Sequence, residues 1–296
     1  MAGIEGGTIM LTILAPAKIN LTLEVLGKRP DGYHEIRSAI QTINLCDSLY
    51  LQLSQSIEFK CDMPNWVSEE SLLPRAVRLL QKITGCSKGA TIEVSKRIPL
   101  VSGLGGDSSD AAAILRGLNK LWGLGLSPEK LAWLALQLGS DVAFFLYGGT
   151  ALVEGRGEII TPLLPLPHLW VVLMMPPVPR AKGKTERLYA SLKTSHYSRG
   201  QITYRLVGLL TGGKIVTPVQ FNVFDSIAFD CFAGLEGYWQ QFLKAGAKEV
   251  HLAGSGPTLF TLVKDKAEAE KIYDNLQKQG LESYLAETLE AVEPLE

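Results

Sequence analysis

The chain has 296 residues, 46% of them hydrophobic, and its 29 basic and 30 acidic residues give a formal net charge of -1. This balance provides no basic field for a nucleic acid and favours small molecules as partners. The longest apolar run, residues 163–178, is interrupted by Pro165 and Pro176, whereas a bilayer-spanning helix needs about 20 apolar residues. The first ten residues lack the basic start of a secretory signal, so we expect a cytoplasmic protein without a membrane or nucleic-acid partner.

The first hundred residues predict several strands and one amphipathic helix. Residues 19–26 alternate apolar and polar side chains with the period of a strand. Apolar side chains recur with helical spacing in the segment that stops at Gly85. The predicted strands are 10–15, 19–26, 48–53, 57–60 and 91–94, and the predicted helix is 70–84.

A glycine-rich turn then leads directly into a helix predicted at 108–122. Residues 99–113 read PLVSGLGGDSSDAAA. Glycines allow positive φ angles and a close approach of the backbone, and a helix start presents unpaired N–H groups and a positive dipole end. The segment therefore predicts a phosphate site, with Ser108 and Ser109 as hydroxyl donors or helix caps.

The rest of the chain predicts a second, α+β unit. Ser127 and Pro128 begin a helix that ends near 138, and strands are expected at 144–147 and 150–153. A proline-rich joint at 161–167 separates a predicted N-terminal domain, 1–161, from a C-terminal domain, 162–296. In that second domain the predicted strands are 169–175, 250–256, 258–263 and 282–286, and the predicted helices are 200–210, 229–245 and 266–279. Their order indicates a ferredoxin-like outline.

Other nucleotide loops and metal sites do not fit this sequence. The tripeptide GKT at 183–185 lacks the earlier glycine of a Walker A loop, because Val178 stands there. The glycine-rich turn lies far from the first strand and has Ser108 where a dinucleotide fingerprint needs glycine. The four cysteines show no metal-ligand spacing, so no protein metal site is predicted.

Three motifs in order resemble the GHMP kinase superfamily across nearly the whole chain. They are APAKINL at 15–21, GLGGDSSDAA at 103–112 and LAGSGPTLF at 252–260. The resemblance implies an α+β fold of two domains, the first a mixed α/β domain and the second ferredoxin-like. It also implies transfer of a phosphoryl group from ATP to the alcohol of a small molecule, with Mg²⁺ bridging the phosphates.

Further motifs narrow the resemblance to one branch of the superfamily. PAKIN at 16–20, DGYHE at 31–35 and GSDVA at 139–143 are similar to the kinases that phosphorylate the 2-hydroxyl of 4-diphosphocytidyl-2-C-methyl-D-erythritol in the non-mevalonate isoprenoid pathway. The DGYH segment discriminates, because the mevalonate and homoserine kinases do not share it. Another GHMP small-molecule kinase and a catalytically silent binding protein of this fold remain open as alternatives.

The same resemblance implies the catalytic and ATP-binding residues. Asp141 would take the hydroxyl proton of the acceptor, and Lys18 beside it would keep that carboxylate ionised. ATP would bind through its phosphates to the glycine-rich loop, with Lys96 at the adenine pocket. The residues implied for ATP are Lys96, Pro99, Leu100, Val101, Ser102, Gly103, Leu104, Gly105, Gly106, Asp107, Ser108 and Ser109.

The acceptor site is implied by a second group of residues. Tyr33 and His34 would contact the cytosine ring, with Tyr189 as the second face of a stacking sandwich. Aromatic faces suit a flat base, since stacking contributes about 1–3 kcal/mol per base. The remaining substrate contacts implied are Asn20, Thr185, Gly254, Ser255 and Gly256.

Four residues depart from the pattern of this branch. Val101 and Asp107 stand where glycines are usual, and Ser71 and Ala143 replace an asparagine and a proline. Valine restricts the backbone of the loop. A carboxylate a few ångströms from the triphosphate would be repelled by about 1–4 kcal/mol. We therefore expect Asp107 either to point away from ATP or to be offset by a cation.

Overall fold

The computed structural model describes residues 10–63, 66, 71–179, 183–213 and 219–291. Residues 1–9, from the segment without a basic start, and Glu70 of a predicted helix lie outside these ranges. Within them the strands form one sheet of seven strands and one of four strands.

A long antiparallel hairpin forms the centre of the first sheet. Strands β1 (Met10–Lys28) and β2 (His34–Ser54) pair from Met10 opposite Gln52 to Lys28 opposite His34. The separately predicted strands 10–15 and 19–26 are thus one continuous element. The other strands are β3 (Ile57–Cys61), β4 (Gly89–Ser95), β5 (Thr150–Gly155), β6 (Ile159–Pro162) and β8 (Phe221–Asn222).

Four helices cover one face of this sheet. Gly117 lets one of them approach closely, since a β-carbon there would overlap the side chain of Ile13 on β1. These helices are α1 (Leu73–Thr84), α2 (Gly106–Trp122), α3 (Pro128–Leu138) and α4 (Ser140–Tyr147). The strand predicted at 144–147 is wrong, because these residues complete α4 and bury Phe144 and Phe145 in the core against the neighbouring helices.

The second sheet has the order β11-β7-β10-β9 and is antiparallel throughout. Its strands are β7 (Trp170–Met174), β9 (His251–Leu252), β10 (Leu259–Val263) and β11 (Ser283–Glu287). In chain order this is 4-1-3-2, which confirms the ferredoxin-like outline. The helices of this half are α5 (Lys184–Ser191), α6 (Gln201–Thr211), α7 (Ala228–Cys231), α8 (Leu235–Ala245) and α9 (Lys266–Lys278). The single helix predicted at 229–245 is wrong, because Gly234 adopts a φ of 83° and separates α7 from α8.

The two sheets share an apolar cluster, to which α6 also contributes Leu206 and Leu210. On β7, Val171 and Leu173 join the apolar cluster of β1, whereas Val172 and Met174 join the cluster that includes α8 and α9. This alternation is the two-residue period of a strand. Strand β8 comes from the second half of the chain but pairs with β1 in the first sheet, so the halves share a sheet.

Candidate active site

The three sequence motifs converge at the contact between the two halves. The Lys18 amide on β1 donates a 2.9 Å hydrogen bond to the Leu104 carbonyl in the glycine-rich loop. A β-carbon at Gly103 would overlap the Ala253 carbonyl of the third motif. Gly103 has a φ of 92°, a conformation that suits glycine. Close packing of loop, strand and turn therefore requires the glycines that the motifs supply.

A cavity of about 1190 Å³ opens beside this junction. Most of the predicted site residues line it. They are Lys18, Asn20, Tyr33, His34, Val101, Ser102, Gly103, Gly105, Gly106, Asp107, Ser108, Asp141, Thr185, Tyr189, Gly254 and Ser255. The predicted residues outside its lining are Lys96, Pro99, Leu100, Leu104, Ser109 and Gly256.

Lys18 and Asp141 form an ion pair at the cavity wall. The Lys18 ammonium is buried, lies 3.9 Å from the Asp141 carboxylate and donates a 2.8 Å hydrogen bond to Asn20 Oδ1. Asn20 is held in turn by its 2.8 Å hydrogen bond to Ser38. Burial lowers the pKa of Lys18, and the Asp141 charge opposes part of that shift. Asp141 lies in the first turn of α4 with 46% of its side chain exposed, so its carboxylate is open to a ligand.

The glycine-rich loop ends at the start of α2. Gly105 caps this helix with a φ of 77°, so α2 begins two residues earlier than predicted. Ser108 faces the cavity, whereas Ser109 is buried and its Oγ has no partner among the described residues. The free N–H groups of the first helical turn therefore lie at the cavity wall, where they can bind an anion.

The two departures in the loop have different consequences. Val101 adopts a φ of 55° and is the one non-glycine residue with positive φ among the described residues. Such a conformation costs a β-branched residue about 1–3 kcal/mol. Asp107 accepts the Leu72 amide at 3.0 and 3.2 Å and so faces the start of α1. Burial raises the pKa of Asp107, and the Leu72 hydrogen bond opposes that shift.

Lys96 is placed in a buried charge cluster beneath the loop. Its ammonium group lies 2.5 Å from Asp47 and 2.8 Å from Asp110. Burial would lower the pKa of Lys96, but the two carboxylates raise it. Its side chain is buried, so Lys96 is not a surface lysine. The ammonium points at carboxylates rather than into the cavity, so a role at adenine stays a prediction.

Aromatic side chains form a cluster in the cavity lining. The His34 and Tyr189 rings stack with centroids 5.0 Å apart and an angle of 25°. Rings this close already touch, so no base can lie between them. A sandwich with Tyr189 as its second face stays a prediction. Tyr33 is exposed, with the Arg156 guanidinium 5.0 Å above its ring, and it offers a face to a ligand.

Lys184 is a site residue that the sequence motifs did not identify. It is buried at the start of α5, lines the cavity and donates to the Ser255 carbonyl and hydroxyl at 3.2 and 3.1 Å and to the Gly256 carbonyl. Thr185 Oγ1 lies 2.8 Å from the Ser255 hydroxyl. Burial and the charge of Lys18 lower the pKa of Lys184 to about 7. The GKT tripeptide at 183–185 was the available signal, although it is no Walker A loop.

No group of three His, Cys, Asp or Glu side chains suited to a metal occurs in the described ranges. As far as the structure describes the chain, no helix has the length and apolar character needed to cross a bilayer.

Comparisons with known proteins identify the family. A model of the GHMP kinase N-terminal domain matches residues 71–149, and a model of the GHMP kinase C-terminal domain matches 217–281. A protein of Dehalococcoides mccartyi named 4-diphosphocytidyl-2-C-methyl-D-erythritol kinase is 51% identical over 95% of this chain and 99% of its own length. A protein of the same name from Geobacillus thermodenitrificans is 40% identical over 90% and 93%.

Solved structures agree with this assignment. A crystal structure of 4-(cytidine 5'-diphospho)-2C-methyl-D-erythritol kinase superimposes with a TM-score of 0.80 at 30% identity, covering 94% of this chain and 99% of that one. Homoserine kinase from Cytophaga hutchinsonii, at 18% identity and a TM-score of 0.72 over 99% of both chains, shares the fold. This chain therefore belongs to the 4-diphosphocytidyl-2-C-methyl-D-erythritol kinase family of the GHMP kinases.

Proposed function

We propose that this chain is a small-molecule kinase that transfers the γ-phosphoryl group of ATP to the 2-hydroxyl of 4-diphosphocytidyl-2-C-methyl-D-erythritol, a step of the non-mevalonate isoprenoid pathway. Relatives that carry this activity in their names align over nearly the whole chain. The observation that carries the proposal is the Lys18–Asp141 pair, which shares one cavity with the glycine-rich loop.

The loop fits the phosphates of ATP. Its glycines leave the backbone accessible, and the first turn of α2 offers N–H groups and a positive dipole end. Ser108 adds a hydroxyl at the same wall. Mg²⁺ bound to the triphosphate would neutralise part of its charge, and it commonly takes few protein ligands beside phosphates. Asp107 leaves room for these anions, because its carboxylate accepts the Leu72 amide.

Asp141 and Lys18 fit the transfer step. The acceptor hydroxyl donates its proton to the Asp141 carboxylate while its oxygen forms the new bond to the γ-phosphorus, and ADP departs as the old P–O bond breaks. Lys18 lies beside the carboxylate, where its positive charge stabilises the transferred group. Asn20 orients the Lys18 ammonium.

The aromatic cluster fits the cytosine ring. Tyr33 exposes a ring face, and His34 lines the cavity while its ring stacks on Tyr189, so an imidazole nitrogen can bind the base edge. Burial and the charge of Lys28 lower the pKa of His34, so the neutral imidazole is favoured. A cytoplasmic location and the absence of a nucleic-acid partner stay predictions.

Release of ADP from Mg-ATP tests the proposal. The acceptors to compare are 4-diphosphocytidyl-2-C-methyl-D-erythritol, mevalonate, phosphomevalonate and homoserine. We expect turnover with the cytidyl acceptor alone. Turnover with another acceptor would favour a different GHMP kinase. Folded protein that turns over none of them would support the silent binding protein.

A further inference from the structure

The Lys184 ammonium group is buried without a counter-charge among the described residues. The hydrogen bonds that it donates within those residues go to uncharged oxygens of Ser255 and Gly256. Throughout the described ranges, no carboxylate lies within ion-pair distance of it. Burying an ammonium group without a counter-charge is unfavourable. A ligand that brings negative charge to this place would remove that cost.

The surrounding groups leave an excess of positive charge at this part of the cavity. Lys18 is the second buried ammonium group, and Asp141 is the carboxylate beside it, at 3.9 Å. The charge of Lys18 also acts on Lys184. On α5 itself, Glu186 is exposed and also lines the cavity. Asp107 lines the cavity too but accepts the Leu72 amide, so among the described residues Asp141 is the carboxylate within ion-pair distance of these two ammonium groups.

Asp31, another carboxylate of the cavity lining, is also engaged. It lies 3.2 Å from the Arg29 guanidinium and accepts the Tyr33 amide. A bound anion would supply the compensating charge for Lys184.

We propose that Lys184 binds the diphosphate of the nucleoside diphosphate acceptor and selects for it; this inference rests on the proposed function. Such an acceptor carries its base at one end, its alcohol at the other and the diphosphate between them. Lys184 has neighbours that suit both ends of such a ligand. Tyr189, on the same helix as Lys184, joins the aromatic cluster about 7.5 Å along the axis. Lys18, whose charge acts on Lys184, is paired with Asp141.

The titration of Lys184 supplies an independent readout. Its pKa of about 7 would rise when a diphosphate binds, because a nearby anion favours the charged form. Binding at pH 8 would then take up protons, since most such amines start neutral. A phosphate with a second pKa near 6 is already ionised at this pH and takes up none.

Calorimetry with cytidine 5'-diphosphate and with cytidine isolates the diphosphate. Titrations of the wild-type protein at pH 8, in two buffers of different ionisation enthalpy, should show proton uptake with the diphosphate and none with cytidine. In Lys184→Met, which keeps the length of the side chain, the dissociation constant of the diphosphate should rise at least about tenfold. That of cytidine should stay within about twofold, and the uptake should disappear.

Two further variants serve as controls. Lys184→Arg keeps a charge that does not titrate, so it should retain the diphosphate affinity and lose the proton uptake. Lys271→Met removes a charge from an exposed position of α9 and should behave as wild type. A magnesium complex of a non-hydrolysable ATP analogue distinguishes the two sources of phosphate, and its affinity should not depend on Lys184.

Three results would overturn the inference: equal weakening of both cytidine ligands in Lys184→Met, no proton uptake by the wild type, or a loss confined to the ATP analogue. Measuring turnover distinguishes failure of this inference from failure of the proposed function. A wild-type enzyme that phosphorylates the cytidyl acceptor, with a KM unaltered in Lys184→Met, would retain the activity and reject the role of Lys184. Absence of wild-type turnover would count against the activity itself.

Discussion

At position 141, the role of the carboxylate as a base can be tested separately from the size of the side chain. Replacing Asp141 by asparagine removes the base but keeps the size of the side chain at the start of α4. We expect kcat to fall at least about a hundredfold, with both KM values within about threefold of wild type. Steady-state ADP release measures this, and Asp274→Asn on the exposed face of α9 is the matched control. An unchanged kcat would remove Asp141 from proton transfer.

Val101 stores backbone strain in the loop. Its φ of 55° is unfavourable for a β-branched residue, and 42% of its surface is exposed, so little packing would be lost on truncation. Val101→Gly should raise the free energy of unfolding by about 1 kcal/mol. Val101→Ala should give less, because its β-carbon remains. Denaturant titrations test this, and a glycine variant less stable than wild type would show that the strain is offset elsewhere.

The sequence could identify residues that stand out within their own segment. It could not identify residues whose role depends on segments that are distant in the sequence. Lys18 stands in an apolar run and Asp141 at a glycine break, and both lie at the cavity. Lys184 was missed because its unusual feature is burial without a nearby carboxylate, and this feature depends on the fold. The side-chain direction of Asp107 likewise depends on α1, a distant segment in the sequence.

At the scale of secondary structure, Asp107 stabilises the start of α1 from a neighbouring helix. Leu72 caps α1 without a side-chain hydrogen bond, so the carboxylate of Asp107 supplies the acceptor and the negative charge that a helix N-terminus favours. Asp107→Ala should therefore lower the free energy of unfolding by about 1–2 kcal/mol. Asp107→Asn, which keeps an acceptor oxygen, should lose less.

The same variants distinguish this role from contact with ATP. Since the carboxylate faces Leu72, the KM for ATP should change less than about threefold in both. Thermal unfolding and steady-state kinetics give the two quantities separately. A large improvement in KM with no loss of stability would mean that Asp107 acts on the nucleotide instead.

Helices with clear boundary signals were predicted well, and short apolar runs were not. Ser127 accepts the Lys130 amide and begins α3 where the sequence indicated. Residues 144–147 are apolar without a period, so their sequence cannot distinguish a strand from a buried helix. These residues form the helix α4 rather than a strand because they pack in the core against the neighbouring helices.

At the scale of the whole molecule, the order of the three motifs predicted two α+β units but not how they join. Strand β8 crosses into the first sheet through two residues opposite Thr22 and Leu23, a pairing too short to leave a pattern. The alternation along β7, by contrast, is the ordinary strand period and buries both of its faces. The active site thus depends on contacts between the halves that no single segment encodes.

Gly254 tests that dependence directly. Its φ is 58°, and a β-carbon there would lie 2.8 Å from the Lys18 ammonium and 3.0 Å from the Gly103 carbonyl, so alanine would push the third motif away from the loop. Gly280 has a φ of 72° with nothing near its β-carbon position, which makes Gly280→Ala the matched control. Both variants should lose about 1 kcal/mol of stability from the backbone alone, but only Gly254→Ala should lose kcat/KM, by at least about tenfold. Equal activity in the two would mean that the junction tolerates displacement and does not set the geometry of transfer.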